Sequence, residues 1–299
     1  MLQLLFNGFV TGLIYGLVAL GFHLIYRGTK ILHIAHGAIY TATAYALITG
    51  AWIFHVNLSG LAPFQIAIPV VLALLTACFL GVLSEKLLFY PLFLRDVSPL
   101  VAFITSLGLY IVIVNCVAMF FGNEPRLPVP NINSTAFATS VVTVSRIQVV
   151  KIIVSGTLLS LTLLSLSMTR FGRNFRAVSD NPVLAALLGI NVSSIRILVF
   201  AGGSLLAGAC SLLQVLDVGV NPQVGLPVAL TATVAVIIGG RDSAFGAVVG
   251  AICIGIARSV VIYFFSTEWE DAVPISFFVV LLMVRRGGLM EPRTRLEEA

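Results

Sequence analysis

The chain has 299 residues, of which 59% are hydrophobic and only 10% charged, with a mean hydropathy of +1.08 and a net charge of +5. That balance excludes a water-soluble globular domain, which needs far more polar surface. The apolar stretches are also too long and uniform for alternating barrel strands, and lipid leaves no partner for an unpaired backbone group, so the fold class is an all-α, polytopic transmembrane helical bundle.

A crossing of the hydrocarbon core takes about 20 apolar residues, so the length allows about eight to ten spans with short connections. No low-complexity linker divides the chain, and residues 1–299 read as a single transmembrane domain. In chain order the apolar runs predict crossings at 4–26, 31–53, 63–83, 99–121, 148–169, 195–216, 226–240, 243–265 and 273–284. The seventh and ninth are short, and either is expected to be tilted, broken or re-entrant inside the bundle. Met1 to Ile25 lacks a basic leader and its apolar run is too long for a secretion signal, so it reads as a retained first helix.

In the first helix Gly8, Gly12 and Gly16 recur at a spacing of four, and Gly246 and Gly250 do so in the eighth span. Lipid removes the hydrophobic drive between helices and leaves close backbone contact in its place, so these glycines are expected to be packing positions. After the first span come His33 and His36, which a helix starting near Ile31 would put on one face. Two imidazoles without a third ligand make a poor metal site, and no metal is expected. Cys78, Cys116, Cys210 and Cys253 fall within predicted spans without metal-ligand spacing and read as packing residues.

Charge placement orients the spans, because Lys and Arg in short connections stay on the cytoplasmic side. Alternate connections hold Arg27, Lys30, Lys86, Arg95, Arg170, Arg173, Arg176, Arg196, Arg241, Arg285, Arg286, Arg293 and Arg295, which are 13 of the 17 basic residues. The opposite set holds the turn Asn57 to Gly60, the 122–147 loop with Arg126 and Arg146, the Asp217 to Gly225 turn and the acidic segment Glu268, Trp269, Glu270 and Asp271, with Lys151 just beyond. The N-terminus is expected outside and the C-terminus in the cytoplasm. This bias and membrane lipid account for the positive charge without nucleic acid.

Residues with chemistry are sparse. None of the three lysines follows a glycine, so the phosphate loop GxxxxGK[ST] is missing, and no nucleophile, acid and base converge; ATP-driven work would have to come from a partner. Arg258 lies deep in an apolar run and is expected to reach acidic residues near Glu268. Asn7, Asn115, Gln214, Asn221, Thr231 and Thr233 are polar positions in or beside spans that suit either a passage or interhelical hydrogen bonds. The turn Asn221-Pro222-Gln223 breaks helix before the short seventh span, an arrangement that exposes backbone groups to a passing solute.

Three segments carry a family resemblance that runs nearly end to end. GLIYGLVALGFHLIYRGTKILHIAHGAIY at Gly12 to Tyr40, ITSLGLYIVIVNCVAMFFG at Ile104 to Gly122, and RAVSDNPVLAALLGIN at Arg176 to Asn191 are similar to the LivH-type permease subunits of branched-chain amino acid ABC importers. The resemblance implies a bacterial inner-membrane permease with a paralogous, LivM-like second permease subunit, two cytoplasmic ATPases and an external solute-binding protein. It implies no cofactor on this chain, with ATP and Mg at the ATPases. His36 and Gly37 belong to its Ala-His-Gly signature, and the region 170–193 resembles the loop that meets the ATPase. Ala38 departs from the acidic residue common after His-Gly, Gly239 to Ser243 departs from a Gly-Gly-x-Gly-Ser turn, and Arg285 to Leu289 is only loosely like the family's ending.

The loop has a physical reading of its own. Asp180 or Asn181 can cap a short helix with Pro182 in its first turn, whose apolar side, including Leu187, runs to Leu188 before Gly189 stops it. Arg173 and Arg176 would rim that helix against a partner's groove. The resemblance assigns substrates among branched-chain and other neutral amino acids, with urea or short amides the alternative within the family. A self-contained secondary transporter is the alternative outside it, but ion coupling usually places acidic or His groups near the membrane centre, and only Arg258 approaches that description. A membrane-embedded enzyme would need His and carboxylates clustered at one depth, and His23, His33, His36 and His55 lack accompanying acids.

Overall fold

The computed structural model describes residues 1–54, 63–126, 135–138, 143–266, 269–270 and 272–284; the Asn57 to Gly60 turn, Glu268, Asp271 and the C-terminal arginines from Arg285 lie outside the described residues. The helices are α1 (Leu2–Thr29), α2 (Ala35–Ile53), α3 (Pro63–Ser84), α4 (Tyr90–Leu94), α5 (Pro99–Phe121), α6 (Arg146–Met168), α7 (Arg170–Asp180), α8 (Pro182–Leu187), α9 (Val192–Val218), α10 (Gly225–Gly239), α11 (Ala244–Phe264) and α12 (Ala272–Val284). A single π turn at Glu85–Phe89 joins α3 to α4, and a short antiparallel hairpin, β1 (Thr135–Ala138) with β2 (Thr143–Ser145), precedes α6.

Among the described residues, seven helical stretches are long and apolar enough to cross a membrane, that of α10 only together with the 3₁₀ turn Pro222–Val224 ahead of it. The others at expected crossings are α2, with 19 residues, and α12, with 13. Each of the nine sequence runs therefore carries a helix. The most apolar window of α1 is 78% buried, against 22% for those of the α3–α4 unit, α5 and α6, so α1 is the axis of the bundle and the latter three leave wide apolar faces exposed on its outside.

Glycines set the helix crossings. A Cβ on Gly8 or Gly12 would lie 2.7 Å from Ile256 Cα or 2.6 Å from Ile252 Cα, which places the α1 and α11 backbones in direct contact. Gly16 differs from its neighbours in the stripe, since its Cβ would meet only side-chain methyls of Leu159 and Val248 at 3.5 and 3.6 Å. Gly246 and Gly250 of α11 pack onto the Gly239 and Ala235 carbonyls of α10. Further crossings join Gly21 of α1 to Gly203 of α9, and Gly37 of α2 to Gly225 of α10. In lipid such contacts supply much of the association between helices.

Side-chain contacts sort the helix ends into two sets. One end carries Arg27 with Asp242, Glu85 with Arg196, and Arg176 with the Leu166 carbonyl. The other carries Lys151 with Asp217, the Arg126–Val220 backbone bridge and Gln223 with Asn123. This is the grouping that strict alternation of the crossings requires. Two helices start inside the bundle rather than at an end. The Ala35 amide donates to Ser106 Oγ, seven residues into α5, and α10 begins where Gly225 touches Gly37 in the first turn of α2. At 15 residues α10 is about 22 Å long, short of the roughly 30 Å core, with a 3₁₀ turn at Pro222–Val224 leading into it. The seventh run is thus a broken element whose lead-in descends between α2 and α5.

Candidate functional site

Between α6 and α9 the chain builds an elbow of two short helices. Thr169 ends α6 and caps α7, its Oγ1 accepting the Gly172 amide at 3.3 Å. The turn is tight enough that a Cβ on Gly172 would sit 2.0 Å from the Leu166 carbonyl oxygen. Phe171, Phe175 and Val178 recur at helical spacing and pack inward, while Arg170, Arg173 and Asp180 stay exposed. The stretch Arg170–Asp180, from which the sequence reading took only Arg173 and Arg176 as a rim for the short helix that follows, is therefore an amphipathic helix itself. Spacing of its aromatic residues was the available signal.

Asn181, not Asp180, caps α8: its Oδ1 accepts the Leu184 amide at 2.9 Å, Pro182 occupies the first turn, and Gly189 leaves the helix at φ 81°. Asp180 is the last residue of α7. Ala185 alone in α8 is buried, while Val183, Leu184, Leu187 and Leu188 are exposed, Leu187 at 79%. An apolar surface of this kind outside the spans is unusual for a free-standing protein. Arg173 is exposed at its rim, whereas Arg176 turns back to donate to the Leu166 carbonyl at 2.6 Å.

Asn191 then caps α9, and one turn later Arg196 meets Glu85. Sequence reading missed this pair, since 111 residues separate its members. The π turn explains the geometry: it swings Glu85 into the bundle, 0% exposed, while Lys86 remains outside. The Arg196 guanidinium also lies 4.4 Å over the Phe93 ring.

The polar positions singled out for a passage are dispersed. His36 is fully buried near Gly21 with its ring 6.1 Å from that of His33. Helix α2 starts at Ala35 rather than Ile31, so His33 lies in the preceding turn, between the rings of Phe89 and Phe200. Gly37 is occupied by its contact with Gly225. Thr231 and Thr233 donate back to carbonyls of their own helix, Pro227 and Ala229. Asn115 does likewise with Ile111 and faces outward from the bundle. Gln214 accepts from Lys151 at 3.4 Å, and Asn221 is half-buried in the lead-in to α10. Asn7 accepts from both Gln3 and Gln148, knitting α1 to α6. Arg258 reaches Glu270 at 3.5 Å and lies 4.8 Å over the Tyr15 ring.

A sequence profile for the family described as "Branched-chain amino acid transport system / permease component" matches residues 4–283. The chain belongs to that permease family. It is 28% identical to the high-affinity branched-chain amino acid transport system permease protein LivH of Salmonella typhimurium, over 97% of this chain and 95% of that one. The corresponding protein BraD of Pseudomonas aeruginosa is also 28% identical, over 97% and 95%. A probable branched-chain amino acid transport permease protein LivH of Methanocaldococcus jannaschii is 24% identical over 92% and 85%. Among solved structures, PsaBC from Streptococcus pneumoniae in complex with Fab shares the fold, with a TM-score of 0.50 at 14% identity, covering 93% of this chain and 90% of that one. In this branched-chain permease family member the membrane bundle and the exposed elbow are thus parts of one transport subunit.

Proposed function

We propose that this chain is the membrane permease of an ATP-driven importer for branched-chain or other neutral amino acids, and that α7 and α8 form its seat for a separate ATPase. The observation that carries the docking assignment is the exposed apolar face of α8, Val183, Leu184, Leu187 and Leu188, held on a capped helix at the Arg-rich end of the bundle. The retention of basic loops on the cytoplasmic side supports placing that end, and the C-terminus, in the cytoplasm, with the N-terminus outside. A second, LivM-like permease, two ATPases holding ATP and Mg, and an external solute-binding protein complete the assembly in this reading. ATPase closure pushes α8, and α9 carries the displacement through Arg196 and Glu85 to the π turn after α3. Outward-open and inward-open arrangements then differ in how they engage the ATPases, which is what allows ATP to bias them.

The test is uptake of radiolabelled leucine into vesicles holding this chain and the second permease, with the ATPases and ATP inside and the binding protein outside. Uptake is expected only with both ATP and the ATPases. Equal uptake by the permease without them would refute the borrowed motor.

A further inference from the structure

A cavity of about 560 Å³ opens sideways between α1, α6, α7 and α11 at the Arg-rich end. Its lining is of two kinds. His23, Arg27 and Arg176 supply the titratable and cationic groups, and Leu163, Leu164 and Phe245 supply an apolar part, of which Leu164 and Phe245 are exposed on the outer surface of the bundle. We infer that this cavity is a binding site for an anionic phospholipid, its phosphate held between Arg27 and Arg176 and its acyl chains laid along Leu164 and Phe245.

Depth, charge and unmet hydrogen bonding support this assignment. With 28 residues α1 is about 42 Å long, longer than the roughly 30 Å core, so Arg27, two residues from its end, reaches headgroup level. His23 lies one turn deeper, 0% exposed, with neither ring nitrogen hydrogen-bonded among the described residues. Arg176 comes from an amphipathic helix of the kind that lies along a membrane surface. Each guanidinium spends one N–H group on a backbone carbonyl, Arg27 on Asp242 and Arg176 on Leu166, and a guanidinium has five donors, so several remain for phosphate oxygens. The Asp242 carboxylate, 3.9 Å from Arg27 Nε and 58% exposed, offsets part of one charge and leaves the site cationic. Basic pockets between membrane helices on the cytoplasmic side are suited to anionic headgroups, and the apolar part distinguishes this one from a site for a free anion.

The full chain, purified with its partner subunits and exchanged into phosphatidylcholine nanodiscs containing a minor fraction of phosphatidylglycerol or cardiolipin, is stripped in detergent and read by native mass spectrometry. Retention of the anionic lipid over phosphatidylcholine is expected, falling about fivefold for Arg27→Gln or Arg176→Gln and further for the pair. Arg95→Gln, a change to an exposed arginine at the same end but outside the cavity, should retain lipid normally. Leu164→Trp, which fills the apolar part without touching charge, should also expel the lipid, and keeps the test decisive where an arginine variant misfolds. Equal retention of both lipid classes, unchanged retention in the arginine pair, or displacement by inorganic phosphate at equal anion concentration would each overturn the assignment. So would loss of the lipid on assembly, which would mean that a partner subunit fills the cavity.

Discussion

Arg196 donates through Nε to Glu85 Oε1 at 2.5 Å and through Nη2 to Oε2 at 3.3 Å, a buried bidentate pair that ties the start of α9 to the π turn after α3. Two desolvated charges hold each other here, and removing one leaves the other without compensation. Arg196→Met is therefore expected to lower stability by about 3–5 kcal/mol, whereas the double variant Glu85→Leu with Arg196→Met should recover most of that loss. Thermal unfolding in one detergent, followed by tryptophan fluorescence, compares the two. A double variant as unstable as the single one would show that the two side chains are not energetically coupled.

The glycine stripe of α1 is expected to be graded rather than uniform. An added methyl at Gly12 meets backbone at 2.6 Å, which cannot yield without separating α1 from α11, while at Gly16 it meets mobile methyls of Leu159 and Val248 at 3.5 Å and beyond. Overpacking typically costs about 1–3 kcal/mol, and Gly→Ala in a helix otherwise gains about 1 kcal/mol of propensity. Gly12→Ala should lower the monodisperse fraction on size exclusion, Gly12→Leu should abolish it, and Gly16→Ala should leave it unchanged or raised. Identical behaviour of the two alanine variants would contradict the graded packing.

Most of the bundle was legible from apolar run length alone, because lipid forces each span to close its own hydrogen bonds. The run 99–121 coincides with α5 and 273–284 lies within one residue of α12. The cap at Asn181 and the stop at Gly189 were equally local signals. What sequence could not supply was pairing across distance. Nothing in Gly21 marks Gly203 as its neighbour, because neither belongs to a spacing-of-four repeat with the other. Arg196 reads from sequence as one more connection charge, and Glu85, just past the end of the 63–83 run, carries no mark of the π turn that brings it inside. Run length also hid the inward start of α2, since residues 31 to 34 are apolar enough to read as helix while the backbone turns there.

On the elbow, the cleanest probe is α8 rather than α7. Arg176 is bonded to the end of α6, so charge reversal there together with Asp180 disturbs the elbow's own packing as well as any partner. Leu187 and Leu188, exposed at 79% and 72%, make no such internal demand. Replacing both by Glu should leave membrane insertion and melting temperature unchanged while weakening ATPase association by on the order of 2 kcal/mol, roughly thirtyfold. Co-purification at graded ATPase concentrations measures the shift. Undiminished association and uptake would remove α8 from the docking surface.

At the opposite end, Lys151 of α6 is bonded to Asp217 of α9, yet the two members of the pair are unequally placed. The lysine side chain is 5% exposed and the aspartate 24%, the latter lining a polar cleft with Gln3, Asn7 and Gln148. Water in that cleft can hydrate a carboxylate that has lost its partner, but Gln214, at 3.4 Å, is the one other side-chain acceptor within reach of the ammonium among the described residues. The penalty for breaking an ion pair follows the burial of the charge left behind. Asp217→Asn is accordingly expected to cost about 3–5 kcal/mol, and Lys151→Met, which strands only the wetter group, about 1–2 kcal/mol. Melting temperatures of the two variants measured side by side decide the order. A larger loss for Lys151→Met, which keeps the apolar stem and removes only the ammonium, would mean that Asp217 depends on that charge more than its own exposure allows, and would overturn the burial argument.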